Sequence, residues 1–276
     1  MKTTLAAAAA ILIATIAASS AADMAVKAPM VAPAPILSWT GFYVGGDVGG
    51  AWARTDASTI QFAPGATPAD LQLFRLSGSS VLAGLHAGYN WQVAPTWLLG
   101  VEGDADWTGI KASTTGPLFF NGLPNAGVPF ITTTNTLSRN VNWLASIRGR
   151  AGYIGGSWLL YATGGAAWGG LQQSATQTLS AGGGSAVWPF SSSTTAAGWV
   201  AGAGVEYALN RNWILRGEYL YYSLKGTTGG TTPFINGVRA IGGAGGIFSD
   251  TFGRTTVQTV RAGISYKFGG PVVAKY

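Results

Sequence analysis

The segment WLLGVEGDADW, residues 97–107, decides the fold class of this chain. Apolar and polar side chains alternate along it with the period of two that an extended strand gives. One face carries Trp97, Leu99, Val101, Ala105 and Trp107, and the other carries Gly100, Glu102, Asp104 and Asp106. The pattern predicts a β-strand with one side for an apolar environment and one for a polar environment.

The same period recurs throughout the rest of the chain. The predicted strands are Phe42–Trp52, Val81–Val93, Trp97–Trp107, Val141–Tyr153, Trp158–Trp168, Ala197–Leu209, Trp213–Leu224 and Val257–Phe268. All 12 prolines lie outside these segments. Because proline cannot donate a hydrogen bond to a strand ladder, their placement supports the eight-strand interpretation.

The predicted connections alternate in length. Three are short (Ala94–Thr96, Ile154–Ser157, Asn210–Asn212) and four are long (Ala53–Ser80, Thr108–Asn140, Gly169–Ala196, Lys225–Thr256). This asymmetry is typical of outer-membrane barrels, whose turns face the periplasm and whose loops face outward. We therefore predict an all-β, antiparallel transmembrane barrel of eight strands, with extracellular loops and both termini periplasmic. Ten strands are the alternative, because Phe234–Phe248 is apolar enough to form a further hairpin.

The composition agrees with this class. The chain is 47% hydrophobic and only 9% charged, which fits neither an ordinary soluble domain nor a disordered chain. Beyond residue 22 no apolar run approaches the roughly 20 residues of a membrane-spanning helix. The net charge of +6 comes from unclustered basic residues, so nucleic acid is not an expected partner.

Four parts of the chain follow from these patterns. Residues 1–22 have the charged start, apolar middle and small-residue cleavage site of a signal peptide, with an uncleaved anchor as the alternative. Residues 23–40 are a Pro/Ala-rich periplasmic lead-in, residues 41–268 the barrel, and residues 269–276 a C-terminal tail.

Aromatic residues mark both ends of the predicted strands on one face. The two rows comprise Phe42, Trp52, Trp91, Trp97, Trp107, Trp143, Tyr153, Trp158, Trp168, Trp199, Tyr207, Trp213, Tyr221, Tyr266 and Phe268. Ten tilted residues climb about 25 Å, the height of the apolar band in such barrels. The rows are predicted to be interfacial girdles. Core packing in a soluble barrel is the alternative, but it does not explain the spacing.

The opposite face carries the charges and is predicted to line the lumen. The predicted lumen network comprises Asp47, His86, Glu102, Asp104, Asp106, Arg148, Arg150, Glu206, Arg216, Glu218, Arg261 and Lys267. Unpaired charge in a narrow interior is costly, so we expect these groups to pair. Aligning the girdles places Glu102 level with Arg148, within a residue or two of register.

His86 is the only histidine and is expected to face Asp104 across a hairpin, like two members of a hydrolytic triad. A hydrolase would need a serine or an activated water beside them at the outer mouth, where no serine can be assigned. A hydrogen-bonded lumen histidine is therefore favoured. One histidine cannot build a His-rich metal site, and we predict no catalytic residue, metal or cofactor.

The chain ends resemble a known family. Arg261-x-Gly263-x-x-Tyr266-x-Phe268 resembles the β-signal recognised during barrel assembly. Lys27 with its lead-in, Trp39–Gly46 and Tyr266–Tyr276 resemble the porin-like outer-membrane immunogenic proteins of alphaproteobacteria, which are similar to small OmpA/OmpX-type barrels. The resemblance implies surface-exposed barrels that support envelope integrity and act as antigens, with porin or ligand-binding roles proposed for some members.

The leading hypothesis is thus a non-enzymatic barrel that contributes to envelope structure and presents surface loops. Its expected partners are outer-membrane lipid, lipopolysaccharide and the barrel-assembly machinery. Two alternatives are a passive porin for small hydrophilic solutes or ions, and binding of an unknown extracellular ligand through loop aromatics. The loop aromatics are Phe119, Phe120, Trp188 and Phe190.

Overall fold

The computed structural model describes residues 37–62, 70–117, 132–181, 184–234 and 246–269. Its strands are β1 Gly41–Phe62, β2 Asp70–Ala94, β3 Trp97–Pro117, β4 Thr132–Gly155, β5 Trp158–Ala181, β6 Gly184–Ala208, β7 Trp213–Leu224, β8 Thr227–Phe234 and β9 Gly246–Lys267. None of the described residues forms a helix long and apolar enough to cross a membrane.

The strands form one closed antiparallel barrel. Each strand from β1 to β7 pairs with the next, β7 pairs with β9, and β9 pairs with β1 to close the ring. β7 and β8 both pair with β9, at Leu224↔Thr255 and Thr227↔Phe252 respectively, so they share one position in the wall. Eight strand positions confirm the predicted fold class. The hairpin anticipated in the last loop lengthens the wall and does not add two strands, so the ten-strand alternative is wrong for the described residues.

The strands are much longer than predicted. β1 to β6 contain 21 to 25 residues each, whereas the predicted segments had 11 to 13. A strand of that length climbs about 60 Å at a tilt of roughly 40°, about twice the height of a membrane's apolar band. The prediction of four long loops was therefore wrong over most of their length. Most of these parts are rich in Ser, Thr, Gln, Gly and Ala, and their large apolar residues, such as Ile110 and Leu137, are too widely spaced to mark the alternation. Residues 70–76, DLQLFRL, are the exception.

Proline inside the extended wall lies where the ladder allows it. Pro189 is within β6 and opposite Thr176 of β5. The pairing of β6 with β7 begins only at Gly198, and β8 pairs with β9. Among the described residues, Pro189 therefore has a hydrogen-bonded strand on one side only, so the missing N–H costs no ladder bond on the other side. The edge position explains why a proline is tolerated in this strand, although prolines were used to exclude strands in the sequence analysis.

The short connections all lie at one end of the barrel, called here the turn end, and the opposite end is called the far end. At the turn end, residues 37–40 cross the mouth and bury Trp39. The Trp39 amide donates to Gln92 Oε1 (3.2 Å), and the Lys267 ammonium donates to the Ser38 carbonyl. Trp39 packs with Leu98, Ile154, Leu159, Tyr161, Ala208 and Ile214, a cluster called here the turn-end plug.

The inward side chains of β4 show how the interior is layered. From the turn end they run through Ile154 of the plug, then Arg150 and Arg148. Leu144 and Val141 follow in an apolar cluster, called here the middle apolar layer, that also holds Leu82, Leu171, Leu220, Tyr222 and Val257. Beyond Arg139 comes Leu137, in a second cluster with Ala57, Leu76, Ala112, Ala175 and Phe252, called here the far apolar layer. Polar and apolar layers thus alternate along the described barrel axis.

Candidate functional site

All twelve predicted lumen residues are buried inside the barrel. Ten of them form a connected set, called here the charge network: Asp47, Glu102, Asp104, Asp106, Arg148, Arg150, Glu206, Arg216, Glu218 and Arg261. It lies between the turn-end plug and the middle apolar layer. Six of the eight strand positions contribute to it. The other two bring hydrogen-bonding partners: β2 brings His86, which bonds Asp47, and β5 brings Tyr161, which bonds Glu218.

Glu102 is one centre of the charge network. It lies level with Arg148 in the β3–β4 register and accepts from Arg148 Nη2 at 2.5 Å. Arg216 donates to both of its carboxylate oxygens (3.1 and 3.0 Å), and Arg150 donates to one (3.2 Å). The Tyr43 hydroxyl donates a further bond of 2.7 Å. One carboxylate thus faces three guanidinium groups from two different strands.

Glu218 is the second centre. It accepts from Arg148 Nη1 (3.0 Å), Arg216 Nη2 (2.8 Å), Arg261 Nη2 (2.6 Å) and the Tyr161 hydroxyl (2.9 Å). Arg148 and Arg216 therefore bridge Glu102 and Glu218. Bidentate guanidinium groups are suited to such bridging because their donors form a rigid planar fork.

The edges of the charge network extend along the axis in both directions. Toward the turn end, Arg150 donates to Glu206 at 2.7 Å and stacks 4.0 Å from the Tyr161 ring centroid. Toward the middle apolar layer, Arg261 donates to Asp106 at 2.7 Å and Asp104 at 3.3 Å. Lys267 contacts the Ser38 carbonyl at the mouth and has no ion pair within the described part of the chain.

Glycines make the room that these side chains need. A Cβ atom on Gly84 would lie 1.9 Å from Asp106 Oδ1, and one on Gly263 would lie 2.1 Å from Asp47 Oδ1. Both distances are far shorter than a van der Waals contact. Two of the charge network's carboxylates thus depend on neighbouring positions without side chains.

His86 lies level with Asp104 in the β2–β3 register but bonds elsewhere. Its Nδ1 is 2.6 Å from Asp47 Oδ2 and its Nε2 is 2.7 Å from Ser265 Oγ. The order Asp–His–Ser is that of a hydrolytic triad. Ser265 lies inside the lumen, however, whereas the expectation from the sequence concerned a serine at the outer mouth. The register of the short β2–β3 hairpin could not reveal this arrangement. Asp47 lies on the other neighbour of β2, the strand β1, across a connection predicted to be long, and Ser265 lies on β9, which does not pair with β2. The His86 and Asp47 side chains have no solvent-accessible surface.

The predicted girdle residues lie on the outer surface in two rows. Ring contacts of 4.6 to 5.9 Å join the turn-end row in the pairs Trp97–Tyr153, Trp158–Tyr207, Trp213–Tyr266, Tyr266–Phe268 and Phe42–Phe268. Trp91 contacts Tyr89 in the same row. The second row holds Trp52, Trp107, Trp143, Trp168, Trp199 and Tyr221, of which Trp143, Trp168 and Tyr221 are half-buried. The second row lies near the middle of the long strands.

The residues that resemble an assembly signal divide between the two surfaces. Tyr266 and Phe268 belong to the turn-end aromatic row, whereas Arg261 and Gly263 face the charge network. The motif therefore places its two aromatic residues on the outer surface and its arginine and glycine in the lumen of this barrel.

Sequence reasoning missed two buried ions, because both lie in segments predicted to be loops. Arg139 donates to Thr227 Oγ1 at 3.2 Å and lies 5.3 Å from the Phe252 ring centroid. Burial lowers the pKa of Arg139 to about 10. Asp250 is also buried, and burial raises the pKa of its carboxyl against the opposing effect of three side-chain hydrogen bonds. Neither group is in an ion pair among the described residues.

The charge network could be mistaken for a metal centre because it holds six carboxylates. Within the described ranges, however, no group of three or more His, Cys, Asp or Glu side chains has the arrangement that holds a metal ion. The carboxylates are instead directed at guanidinium groups. The network's chemistry is therefore ion pairing.

Comparisons with known proteins place this architecture in context. Residues 6–268 match the family model of the outer membrane protein beta-barrel domain. The chain is 31% identical over 252 residues to the 31 kDa outer-membrane immunogenic protein of Brucella melitensis, covering 90% of this chain and 92% of that protein. It is 29% identical to the 22 kDa outer membrane protein of Rhizobium leguminosarum, covering 68% and 65%. Among solved structures, OprG from Pseudomonas aeruginosa is similar with 17% identity and a TM-score of 0.40, covering 85% of this chain and 100% of that one.

Proposed function

This chain belongs to the outer-membrane β-barrel family that includes the alphaproteobacterial outer-membrane immunogenic proteins, and we propose that it is a closed structural barrel of that membrane. In this proposal it contributes mechanical continuity to the envelope and displays its far end at the cell surface. It performs no catalysis.

The observation that carries the proposal is the filled lumen. The charge network is bordered by the turn-end plug on one side and the middle apolar layer on the other. A barrel of eight strands encloses only enough space for side chains, and here apolar side chains occupy three levels. Water does not form a continuous path through packed apolar layers. This favours a structural barrel over a passive porin.

The proposed orientation has the turn end in the periplasm and the far end outside. The two aromatic rows would lie at the two membrane interfaces, as aromatic residues do in such barrels. About half of each long strand would then project beyond the outer interface. The displayed surface would consist largely of β-wall. Residues 63–69, 118–131, 182–183 and 235–245 lie outside the described residues.

The proposed partners follow from this placement. Lipid and lipopolysaccharide would contact the girdles and the apolar band between them, and the barrel-assembly machinery would act during insertion. The hypothesis of loop-mediated ligand binding loses support, because Trp188 and Phe190 lie within β6 and Phe190 packs against the far apolar layer. Phe119 and Phe120 lie outside the described residues.

The proposal that the protein is not an enzyme is supported by the enclosure of the Asp47–His86–Ser265 chain. A hydrolytic serine must reach a carbonyl carbon and must have an oxyanion site beside it. Ser265 is buried with its hydroxyl committed to His86. The relative from Brucella melitensis is named as an outer-membrane immunogenic protein, which supports a role other than catalysis.

Planar-bilayer recording tests the proposal. The purified full barrel, freed of lipopolysaccharide, should add no steady conductance, while an open trimeric porin inserted in the same bilayers reports that incorporation works. Insertion of the barrel itself is checked by its heat-modifiable gel mobility after recovery from the same lipid. Steady, reproducible openings by correctly folded protein would overturn the closed-lumen proposal in favour of a porin.

A further inference from the structure

Four polar side chains meet inside the far end of the barrel. They are Thr59 of β1, Asn135 of β4, Gln177 of β5 and Asp250 of β9, called here the far polar cluster. All four are at least 99% buried. The cluster lies on the far side of the far apolar layer, well beyond the second aromatic row.

The cluster is tightly connected around one carboxylate. Thr59 Oγ1 donates to Asp250 Oδ1 at 2.7 Å, and Gln177 Nε2 donates to Asp250 Oδ2 at 2.9 Å. Asn135 Nδ2 lies 2.7 Å from Thr59 Oγ1 and 3.4 Å from Asp250 Oδ1. Four strands thus bring their polar atoms to within hydrogen-bond distance of a single point.

The carboxylate of Asp250 has no positive partner among the described residues. The nearest buried cation along β4 is Arg139, four positions from Asn135, and Leu137 and Phe252 of the far apolar layer lie between the two levels. Burying an ionised carboxylate with only neutral donors is costly. The charge network, by contrast, gives its central carboxylates several guanidinium groups each.

Two buried oxygen atoms in the cluster have no donor within the described ranges. Asn135 Oδ1 and Gln177 Oε1 are inaccessible to solvent and accept no hydrogen bond from a described residue. A side-chain amide presents a carbonyl oxygen and an NH₂ group that exchange places by a half-turn about the last side-chain bond. After that turn, the two amide oxygens would join Thr59 Oγ1 and both Asp250 oxygens, and five oxygen atoms would face one another.

From this convergence we infer that the far polar cluster is a binding site for a hard divalent cation of the calcium class. Calcium takes six to eight oxygen ligands from carboxylates, amide carbonyls and water, with flexible geometry. The cluster supplies up to five oxygens and one negative charge, and water completes the shell. Without the ion, the amide NH₂ groups hydrogen-bond the carboxylate; with the ion, they turn and present oxygen.

Such an ion would tie together β1, β4, β5 and β9, strands on opposite sides of the ring. Binding to the folded barrel and not to the unfolded chain raises stability in proportion to the logarithm of the ion concentration above its Kd. The far end, which lies beyond the membrane's support, would therefore be stabilised by calcium. This inference does not depend on whether the lumen conducts.

Terbium luminescence tests the site directly. Tb³⁺ is a luminescent oxygen-seeking stand-in for Ca²⁺ and is excited through a nearby indole. Trp188 lies opposite Gln177 in the β5–β6 register, so its side chain is on the same face of the wall. The full barrel, refolded in zwitterionic detergent without lipopolysaccharide, should give sensitised emission on adding Tb³⁺ alone, and Ca²⁺ should displace it.

Matched variants separate the site from nonspecific binding. Asp250→Asn should weaken Tb³⁺ and Ca²⁺ binding by roughly a hundredfold or more, because it removes the only charged ligand. Asp56→Asn removes an exposed carboxylate, paired with Arg75 at 3.1 Å, and should change nothing. Asn135→Asp adds a second carboxylate and should tighten binding about tenfold. Equal emission from the wild type and Asp250→Asn would overturn the inference, as would a thermal midpoint for the wild type that is the same in Ca²⁺ and in EDTA.

Discussion

The charge network and the far half of the lumen solve the same problem differently. In the charge network, Arg148 contacts three carboxylates, those of Glu102, Asp104 and Glu218. In the far half, Arg139 and Asp250 are each buried without an ionic partner among the described residues and are separated by an apolar layer. Polar neutral groups take the place of counter-ions there. The two halves of the lumen therefore stabilise buried ions by different means, opposite charges in the charge network and neutral hydrogen-bonding groups in the far half.

The largest expected effect comes from breaking the matched set. Arg148→Met keeps much of the side-chain volume but leaves Glu102 and Glu218 with fewer cations in a buried lumen, so we expect a loss of about 3–5 kcal/mol in the free energy of unfolding. Equilibrium urea unfolding in detergent, followed by tryptophan fluorescence, measures it. The exposed pair gives the control, because Arg75→Met should cost less than about 1 kcal/mol. A loss for Arg148→Met as small as the control's would mean that the charge network does not hold the barrel together.

A smaller loss is expected from crowding the charge network without changing its charges. Gly84→Ala places a methyl group 1.9 Å from Asp106 Oδ1 and 2.7 Å from the Ala105 carbonyl, so Asp106 must move away from its bond with Arg261. Overpacking of this kind costs roughly 1–3 kcal/mol. Gly149→Ala on the outer face is the matched control, since its Cβ would meet nothing within 4 Å. Similar unfolding midpoints for both variants would show that the lumen yields easily at this level.

The smallest expected change is a gain in the free energy of unfolding. It tests the difference between the far half of the lumen and the charge network. Arg139→Met removes a buried cation whose only described hydrogen bond is to Thr227, and it leaves no carboxylate unpaired. Replacing such a group by an apolar one of similar size is expected to be neutral or to stabilise by about 1 kcal/mol. The same urea titration measures it. If Arg139→Met were as damaging as Arg148→Met, the cation would have to be matched by an anion, and the contrast between the two halves would fail.

Much of the half of the barrel that includes the turn end could be predicted from the sequence. Between the aromatic rows, one face of each strand meets hydrocarbon, so large apolar residues must alternate with lumen residues, and Trp97 to Trp107 displays this alternation directly. The register that places Glu102 opposite Arg148 was predicted by aligning the two aromatic rows. The far half was not predictable in this way. Its apolar residues are fewer and are separated by runs of Ser, Thr, Asn and Gln, so the wall around Asn135 and Gln177 has the composition of a loop.

Partner choice inside the lumen was also beyond the sequence. His86 was matched to Asp104 because they are opposite in neighbouring strands, yet it bonds Asp47 and Ser265. Likewise Arg148 of β4 reaches Glu218 of β7 across the lumen. Side-chain pairs on strands joined by a short turn can be predicted from the turn and the register, because both are local properties of the chain. Pairs across the lumen cannot be predicted in this way.

The residue pattern alone is enough to predict a two-faced β-barrel with its ions inside, because a strand with hydrocarbon on one side must alternate apolar and polar residues. The length of the wall and the pairing of the ions depend on the folded barrel. The reason is closure of the ring: it brings side chains from strands that are not neighbours into one narrow interior, at distances that the order of residues along the chain does not contain.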